Sequence, residues 1–482
     1  MNLRVVIRVL GFIAVSVGVA MFLPIAVALL FDGDDVVPLA VSAAIPLAVG
    51  FPALIATRGK KVDLGAKDGF AIVTFGWLFA GLFGALPFLL TGACGNPLDA
   101  VFESVSGFTT TGSTVLTDIE VLPPGLLMWR SLTQWLGGMG IIVLSVAILP
   151  ILGIGGMQLY RAEVPGPATD RLAPRIQSAA KTLWAVYFAF TLAEIALLTA
   201  GGMSLYEATC HAFTTVSTGG FSTRNASIAA FDSLFLEIVI VVFMFLAGTN
   251  FSLHLWTTRH QAPGYWRSEE FRLYAIIVLL AAGGITLSLV FRSGYEPGEA
   301  SRVAVFQTVS ILTTTGYGTG DYLLWAFGAQ FILFLMMFLG ACAGSTAGGM
   351  KLMRVVVLMK HALTQTKKEL HPRAIYKIRY SGNVVGEEVM TRILGFFLLY
   401  VFLYFLAAFT LALLGLDLES ALGASICTLS NIGPGFGTVG PASNFAHLPD
   451  AAKALLSFNM ILGRLELYTV LVLLTPSFWN RT

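Results

Sequence analysis

The sequence predicts an all-α polytopic membrane protein, and two observations carry the prediction. Hydrophobic residues make up 56% of the 482 residues, charged residues only 12%, and the mean hydropathy is +0.81, which excludes a soluble globular protein of ordinary composition. Four threonine- and glycine-containing segments also recur at similar spacing, as in an internally repeated fold. We expect two N-terminal helices and four M1-P-M2 repeats (outer helix, re-entrant pore helix, inner helix), with about 10 transmembrane helices around one pseudo-fourfold pore.

Long apolar runs place the transmembrane helices in order along the chain. Two N-terminal helices are expected at about 5–30 and 36–57. The M1 and M2 helices of the four repeats are expected, pair by pair, at about 69–92 with 125–153, 180–200 with 233–258, 271–293 with 327–360, and 388–415 with 453–474. These runs divide the chain into an N-terminal two-helix unit, 1–68, and four repeats at 69–160, 161–262, 263–380 and 381–482.

Between the two long helices of each repeat lies a segment that is too short to cross a bilayer. These segments are Leu98–Thr109, Leu205–Thr215, Ser301–Thr313 and Glu419–Leu429. Backbone that stops inside a membrane is tolerated only where it lines water or packs on protein. The segments are therefore predicted to be the four re-entrant pore helices.

Each short segment ends in a run of threonine or serine with glycine. The third run, Leu312-Thr313-Thr314-Thr315-Gly316-Tyr317-Gly318-Thr319-Gly320-Asp321, is similar to a potassium-channel selectivity filter. The other three read FTTTGS at 108–113, VSTGGF at 216–221 and SNIGPG at 430–435. We align their glycines at Gly112, Gly219, Gly316 and Gly433, which lie 107, 97 and 117 residues apart.

These four runs suit the binding of a dehydrated cation. Such an ion needs oxygens in place of its water shell, and backbone carbonyls can supply them where glycine permits the conformation. Pore helices that aim their C-terminal ends at the ion would favour a cation through the helix dipole. The alternative, that the runs are only helix-packing surfaces, is disfavoured by four runs at matching positions. The predicted ligands are Thr110, Thr111, Gly112, Thr218, Gly219, Thr314, Thr315, Gly316, Asn431, Ile432 and Gly433.

A glycine-rich stretch interrupts the second long helix of the third repeat. Gly340–Lys351 reads GACAGSTAGGMK, and glycine in a helix interior costs about 1 kcal/mol per site relative to alanine. We expect an unwound loop at membrane depth beneath the filter, where it would lie across an ion path. The alternative is close helix–helix packing through small residues.

A single arginine lies near the middle of the last apolar helix. Arg464 would be costly if it faced lipid, so it should face the pore or a partner. Glu466 lies two residues further on and therefore on another helix face. Two interpretations remain open: Arg464 is a cationic barrier in the pore wall, or it forms a structural salt bridge to another helix.

The distribution of basic residues predicts the orientation in the membrane. The N-terminus, the loops at 57–68, 154–181, 257–272 and 351–392, and Arg481 hold 23 of the 29 Lys and Arg residues. By the positive-inside rule both termini are cytoplasmic and the filter segments enter from outside. Four carboxylates on that outer side predict an acidic mouth that concentrates cations; they are Asp99, Glu103, Asp118 and Glu120.

The four filters, the glycine-rich break and the central arginine together resemble the TrkH/KtrB/HKT superfamily of K⁺ transporters, and the two additional N-terminal helices resemble its TrkH branch. The resemblance covers nearly the whole chain and rests on TTTG, STGG, TTTGYG, NIGPGFG, GACAGSTAGGMK and GRLE. One departure is Ala341, where a second glycine is usual in this loop, which puts the flexibility of the loop in question. Glycine rather than serine at Gly112 indicates K⁺ rather than Na⁺.

The resemblance implies K⁺ uptake across the bacterial inner membrane, with Rb⁺ also permeating, and no enzyme activity. It also implies a homodimer in the lipid bilayer, a cytosolic TrkA-like nucleotide-binding regulator, and neither nucleic acid nor a tightly bound organic cofactor. It assigns gating to the loop and the arginine, at Gly344, Ser345, Thr346, Gly348, Gly349, Lys351 and Arg464.

Other functions remain open at this level. Broken helices at membrane depth also occur in secondary transporters, so Na⁺- or H⁺-coupled K⁺ symport and mixed K⁺/Na⁺ permeability are the alternatives. An intramembrane enzyme would need paired catalytic groups, and the only ionisable cluster in the middle of an apolar helix is Arg464 with Glu466. The basic segment 351–392 is either a docking surface for a regulator or positive-inside charge beside anionic lipid.

Overall fold

The computed structural model describes residues 1–58, 65–143, 172–258 and 264–480, and most of these residues are helical. Six helices of the described residues are long and apolar enough to cross a membrane. A seventh span results if Asp450–Arg464 and Tyr468–Leu474, which meet at an angle of 110°, are taken together. The predicted helical membrane architecture is therefore confirmed, with fewer full-length spans than the expected number of about 10.

The first half of the chain supplies the N-terminal pair and the first two predicted repeats. Its helices are α1 (Leu3–Ala20), α2 (Phe22–Leu30), α3 (Val36–Ala56), α4 (Ala66–Gly84), α5 (Leu86–Leu90), α6 (Pro97–Phe108), α7 (Pro124–Val143), α8 (Leu172–Ala200), α9 (Leu205–Val216), α10 (Leu234–Ala247) and α11 (Phe251–Thr258). The predicted helix 125–153 is thus described as far as Val143. Its remainder, the basic residues near 154–171, Arg481 and the repeat boundaries at 160 and 262 lie outside the described residues.

The second half contains helices and two short strand pairs. Its helices are α12 (Gly264–Arg267), α13 (Glu269–Ser288), α14 (Pro297–Leu312), α15 (Phe327–Met336), α16 (Leu352–Leu370), α17 (Glu387–Leu413), α18 (Leu418–Leu429), α19 (Asp450–Arg464), α20 (Tyr468–Leu471) and α21 (Pro476–Trp479). The strands are β1 (Leu339–Gly340) parallel to β2 (Met350–Lys351), and β3 (Arg379–Tyr380) antiparallel to β4 (Asn383–Val384).

The first predicted helix, 5–30, is divided at Met21. Pro24 has no N–H to donate to the carbonyl of Ala20, so the helical ladder is interrupted there. The N-terminal helices pack closely because small residues face each other: a Cβ atom added at Gly50 of α3 would meet the carbonyl of Gly11 in α1. This is the small-residue contact by which membrane helices approach one another.

The four predicted pore helices are present as the short helices α6, α9, α14 and α18. Three begin at a residue whose side-chain oxygen accepts a hydrogen bond from a free N–H of the first turn: Asn96 from Leu98 N (3.0 Å), Ser204 from Glu207 N (3.2 Å) and Asp417 from Ser420 N (2.9 Å). The remaining pore helix, α14, has no such cap and begins with Pro297, whose fixed φ suits a first helical position. Local capping therefore fixes where each of these helices starts.

The predicted inner helices of repeats 2, 3 and 4 are broken rather than continuous. This corrects the spans 233–258 and 453–474, whereas the interruption of 327–360 was predicted. The first breaks at Gly248–Asn250, between α10 and α11. The second is non-helical from Met337 to Lys351, as the glycine-rich stretch predicts. The third breaks after Arg464, where Glu466 and Leu467 both have φ of 57°. Each break shortens an apolar helix, and this accounts for part of the deficit in full-length spans.

Candidate functional site

The four filter segments meet in a closed cycle. A Cβ atom added to one glycine of each segment would meet a backbone carbonyl of another segment. These pairs are Gly112 with Gly219, Gly220 with Thr315, Gly316 with Ile432, and Gly433 with Thr111. Segment 1 therefore touches 2, 2 touches 3, 3 touches 4, and 4 returns to 1. Every threonine and asparagine predicted as a ligand is at most 1% exposed.

The segments share one backbone conformation, and it corrects the alignment made from sequence. Just after each pore helix a non-glycine residue has positive φ: Thr110 (51°), Thr218 (56°), Thr314 (58°) and Asn431 (56°). Two residues further on, a glycine with positive φ follows: Gly112 (88°), Gly220 (77°), Gly316 (81°) and Gly433 (103°). The counterpart in segment 2 is therefore Gly220, whereas Gly219 corresponds to Thr111, Thr315 and Ile432.

The sequence did hold a signal for this register. In TTTG and NIG the glycine lies two residues after Thr110, Thr314 or Asn431, and the same count from Thr218 reaches Gly220. Aligning the first of the two adjacent glycines missed it. The positive φ explains the residue type, since glycine adopts the left-handed region without the Cβ penalty.

Side-chain hydrogen bonds join the segments across the cycle. Ser113 Oγ donates to Gly433 O (2.9 Å), and Asn431 Nδ2 donates to Thr111 Oγ1 (2.9 Å). The hydroxyls of Thr109 and Thr111 pair at 2.7 Å in segment 1. The corresponding pair in segment 3, Thr313 with Thr315, lies at 2.8 Å. The first two contacts tie segment 1 to segment 4, and the threonine pairs hold segments 1 and 3 internally.

Gln134, which lies outside the motifs, and Tyr317, within the third, brace the second and third segments. Gln134 of α7 donates from Nε2 to Gly219 O (2.7 Å) and accepts at Oε1 from Phe221 N (3.0 Å). The hydroxyl of Tyr317 contacts Thr214 Oγ1 (2.5 Å) and donates to His211 O (3.2 Å) in α9. Sequence reasoning missed Gln134, because an amide within an apolar helix carries no local sign of the segment that it contacts.

Oxygen atoms at the cycle fit a cation as transported substrate. Thr110 Oγ1 and Asn431 Oδ1 are buried and lack a hydrogen-bond partner among the described residues. No group of three or more His, Cys, Asp or Glu residues suited to a resident metal ion occurs in the same part of the chain. Neutral oxygens without carboxylates suit a weakly bound monovalent ion, which must leave as readily as it enters.

The intramembrane loop, Gly340–Lys351, lies directly against the ends of three filter segments. Gly348 N donates to Thr314 Oγ1 (2.7 Å), and Thr346 Oγ1 donates to Val216 O (3.2 Å). A Cβ atom at Gly348 would overlap the carbonyl of Ser430. The loop therefore spans segments 2, 3 and 4, as its predicted place beneath the filter requires.

The predicted gating residues hold the fold of the loop and dock it on α10–α11. Gly344 and Gly349 have φ of 72° and 63°, and Ser345 Oγ donates to Cys342 O at 2.6 Å. Lys351 Nζ donates to Ala347 O within the loop. Gly344 O accepts from Phe251 N (3.1 Å), at the break in the second repeat's inner helix. The two broken inner helices thus pack break against break.

Arg464 contacts the loop rather than a carboxylate. Its Nη1 donates to Thr346 O at 2.8 Å, and its side chain is 2% exposed. Its Nε and Nη2 atoms are buried without a hydrogen-bond partner in the described residues. Glu466 instead pairs with Arg354 of α16. Within the described residues the salt-bridge reading of Arg464 is therefore wrong, and its guanidinium lies beneath the filter with unused donors.

Two of the four carboxylates of the predicted acidic outer mouth, Asp99 and Glu103, are paired with basic residues, which corrects the expectation for these two. Asp99 pairs with Lys453 (2.6 Å), and the buried Glu103 pairs with Arg130 (2.7 Å). Arg130 also donates to Ser222 O (3.0 Å) and lies 3.5 Å from the ring centre of Phe221. These carboxylates tie pore helix to inner helix and repeat 1 to segment 2, so they are structural rather than a reservoir for cations.

A helical membrane fold whose re-entrant glycine segments converge on one point, above a loop and a buried arginine, defines a membrane transport protein rather than an enzyme. The chain belongs to the TrkH family, described as cation transport proteins, whose pattern matches residues 41–481. The family resemblance noted from the motifs is thus confirmed.

Several members of this family are similar over their whole length. The Trk system potassium uptake protein TrkH of Vibrio parahaemolyticus is 41% identical and that of Halomonas elongata 40% identical, with all of both chains covered in each case. TrkG of Escherichia coli is 35% identical over 99% of each chain. The crystal structure of the potassium transporter TrkH from Vibrio parahaemolyticus superimposes with a TM-score of 0.92, at 38% identity, over all of both chains.

Proposed function

We propose that this protein takes up K⁺ across the bacterial inner membrane through a channel-like pore. The observation that supports this most is the closed cycle of four segments with one repeated backbone conformation. Its proposed ligands are the residues predicted from sequence, with Gly220 added and Gly219 retained as the counterpart of Thr111. Relatives named as potassium uptake proteins over the full chain length support K⁺ as the ion.

The four short helices favour a cation at this position. Each ends at its filter segment, so its C-terminal carbonyls, with their partial negative charge, lie next to the proposed ion path. Four such helices act together on one ion. This electrostatic arrangement disfavours anions without requiring carboxylates at the filter.

The same repeated conformation supports the arrangement of four M1-P-M2 repeats around a pseudo-fourfold axis. The inner helices of three repeats are interrupted, so they fall below the length of a regular span although they occupy the predicted places. About 10 membrane-crossing elements are then compatible with the smaller number of uninterrupted ones. Excess basic charge on one side supports cytoplasmic termini.

The loop Gly340–Lys351 and Arg464 form the proposed gate. The loop contacts three filter segments, and Arg464 holds the loop carbonyl at Thr346. A guanidinium on the ion path repels K⁺, and the loop fills the space beneath the filter. Movement of the loop away from the filter would clear the space beneath it and release Arg464 from the carbonyl of Thr346.

Assembly and regulation follow the family. We propose a homodimer in the bilayer and a cytosolic, nucleotide-binding regulator that docks on the basic segment 351–392. In this segment α16 carries Lys360, Lys367 and Lys368, and none of the three is buried. Rb⁺ is expected to pass as a surrogate for K⁺.

Uptake of radioactive Rb⁺ into liposomes that contain the purified chain tests the proposal, with K⁺, Na⁺ or Li⁺ as competitor and the ion gradient set independently. We expect uptake driven by the Rb⁺ gradient alone and inhibited best by K⁺. Uptake that requires an imposed Na⁺ or H⁺ gradient would replace the pore by coupled symport. The variant Arg464→Ala is measured in parallel, so that a gate closed in the wild type does not conceal the pore.

A further inference from the structure

One carboxylate outside all the sequence motifs joins both ends of the intramembrane loop. Glu270, in the first turn of α13, accepts at Oε1 from Ala343 N (2.8 Å) near the start of the loop and from Met353 N (3.0 Å) just after it. Its side chain is buried, with 5% exposed. A single oxygen thus bridges two parts of the chain that must separate if the loop moves.

Both donors need this acceptor. Met353 lies in the first turn of α16, where backbone N–H groups have no partner within the helix. Lys351, at the start of α16, makes no side-chain capping bond. Ala343 belongs to the non-helical stretch, so its N–H has no helical partner either. Glu270, on another helix, therefore provides the N-terminal cap that α16 lacks. The same carboxylate oxygen also accepts the hydrogen bond from Ala343 N of the loop.

The neighbouring structure ties this carboxylate to the cytosolic side. The adjacent residue, Glu269, accepts from Ser381 N (3.1 Å) and pairs with Lys360. The side chain of Tyr380, in β3, is a further hydrogen-bond partner of Glu270. Tyr380 is buried in a cluster with Met353. The β3–β4 hairpin, Arg379–Val384, therefore covers Glu270 and separates it from the cytosol.

We propose that Glu270 is a positioning residue that holds the intramembrane loop in its closed place, with the β3–β4 hairpin as its cytosolic cover. The inference rests on the proposed function in taking the loop as the gate. The position of the loop can nevertheless be measured without transport. Loss of the carboxylate leaves two buried N–H groups without an acceptor, and the closed loop loses its shared anchor to α13.

Cys342 gives the measurement, because its thiol is completely buried within the closed loop. The full-length protein is labelled with a soluble maleimide, and mass spectrometry gives the modified fraction at each cysteine. Cys94, Cys210 and Cys427 are also buried and lie outside the loop, so they report general unfolding in the same sample. Rb⁺ uptake is measured on the same preparations.

Glu270→Ala should raise the labelling rate of Cys342 about fivefold or more, while the other three cysteines stay protected, because the loop opens locally. Glu270→Gln keeps an acceptor oxygen without the charge, so a smaller rise of about twofold is expected. The control is Glu388→Gln, which removes an exposed i,i+4 pair with Arg392 and should leave all four rates unchanged.

The outcomes separate this inference from the proposed function. A rise at Cys342 in the order Glu, Gln, Ala, accompanied by faster Rb⁺ uptake, supports both. The same rise without a change in uptake supports Glu270 as the anchor and removes the loop as the gate. Unchanged labelling of Cys342 in Glu270→Ala overturns the inference. If Glu270→Ala exposes all four cysteines, the protein has unfolded and Glu270→Gln becomes the test. Labelling of Cys342 at the wild-type rate in Glu270→Gln would then overturn the inference.

Discussion

The filter cycle and the intramembrane loop lie in direct contact, yet different interactions hold them in place. In the cycle, backbone packs on backbone at all four junctions, and hydrogen bonds such as Ser113 to Gly433 reinforce the contacts. The two ends of the loop form one short parallel strand pair, β1 with β2, in which each strand has two residues. Beyond this pair, the loop is held mainly by single polar contacts that involve Thr346, Arg464 and Glu270.

Under the proposed function, this difference would let one small region be both selective and switchable. A backbone cycle without spare volume cannot change one ligand without moving its neighbours, which suits discrimination between ions of similar size. Single hydrogen bonds each contribute about 1 kcal/mol net, so a few of them can be exchanged for others. The two parts meet at a few contacts, such as Gly348 N to Thr314 Oγ1, but the junctions that close the cycle do not involve the loop.

The largest expected effect is on the rigid side. Gly316→Ser places a side chain where φ is 81° and where a Cβ atom would overlap Ile432 O. A non-glycine residue held in such a conformation costs on the order of 1–3 kcal/mol, so preference for K⁺ over Na⁺ in Rb⁺-competition assays should fall about tenfold or more. Gly320→Ser is the control, since nothing lies within 4 Å of its added Cβ atom. Unchanged ion preference in Gly316→Ser would contradict the filter assignment.

The second effect tests the corrected register. Gly220→Ala meets positive φ and the carbonyl of Thr315, whereas Gly219→Ala meets only the side chain of Gln134 and has no unusual φ. We expect Gly220→Ala to lower K⁺ preference severalfold more than Gly219→Ala, because only the former combines backbone overlap with strain of about 1 kcal/mol or more. The measurement is the same competition assay. A larger loss in Gly219→Ala would restore the alignment made from sequence.

The third effect concerns the releasable side. Arg464→Ala removes a buried cation and its contact to Thr346 O, so Rb⁺ flux through the chain alone should rise about five- to tenfold, as a barrier lower by roughly 1 kcal/mol allows. Selectivity should stay close to that of the wild type, because the filter cycle is untouched. Arg464→Lys, which keeps the charge, is the control. Loss of folded protein without any rise in flux would indicate that Arg464 is structural.

The smallest effect is on stability alone. Asp417 caps α18, and hydrogen bonds from the side chain and backbone of Ser420 lower the pKa of its carboxyl from the ordinary value of 3.8. The lowered pKa means that this stabilisation is present at neutral pH and is lost as pH falls below that value. Asp417→Ala should lower the free energy of unfolding by about 1 kcal/mol, measured as Tm in detergent at pH 7, without a change of ion preference.

Asp417→Asn is the matched variant for this cap. Asparagine caps helices about as well as aspartate but does not titrate, so its Tm at pH 7 should match that of the wild type and lose less on acidification. An equal acid sensitivity in both proteins would assign the pH dependence to other groups.

The sequence predicts well what depends on local composition. Apolar runs, the short segments between them and the threonine–glycine runs were enough to place the pore helices and filter segments within about a turn. The glycine-rich loop was also predictable, because so many glycines in twelve residues destabilise a helix.

The sequence did not reveal contacts between distant segments. Gln134 and Glu270 look like ordinary polar residues in or beside apolar helices, and only the fold shows that they contact a filter segment and the loop. Asp99 and Glu103 were expected to attract ions because their partners, Lys453 and Arg130, lie far along the chain. At Gly248–Asn250 the sequence indicates no more than a cap or kink at Asn250, because one glycine and one asparagine in an apolar run are compatible with a continuous helix.

The closed cycle also has a consequence for how the protein is made. Asn431 donates to Thr111 across 320 residues of sequence, so the first segment has no final partner until the last repeat has been synthesised. At ribosomal speed that interval is on the order of tens of seconds. During this time the early helices already lie in the membrane with an unfinished polar interior. Closure of the cycle is therefore a late event in biogenesis, and truncation before Asn431 would leave Thr111 and the rest of the first segment without their partner.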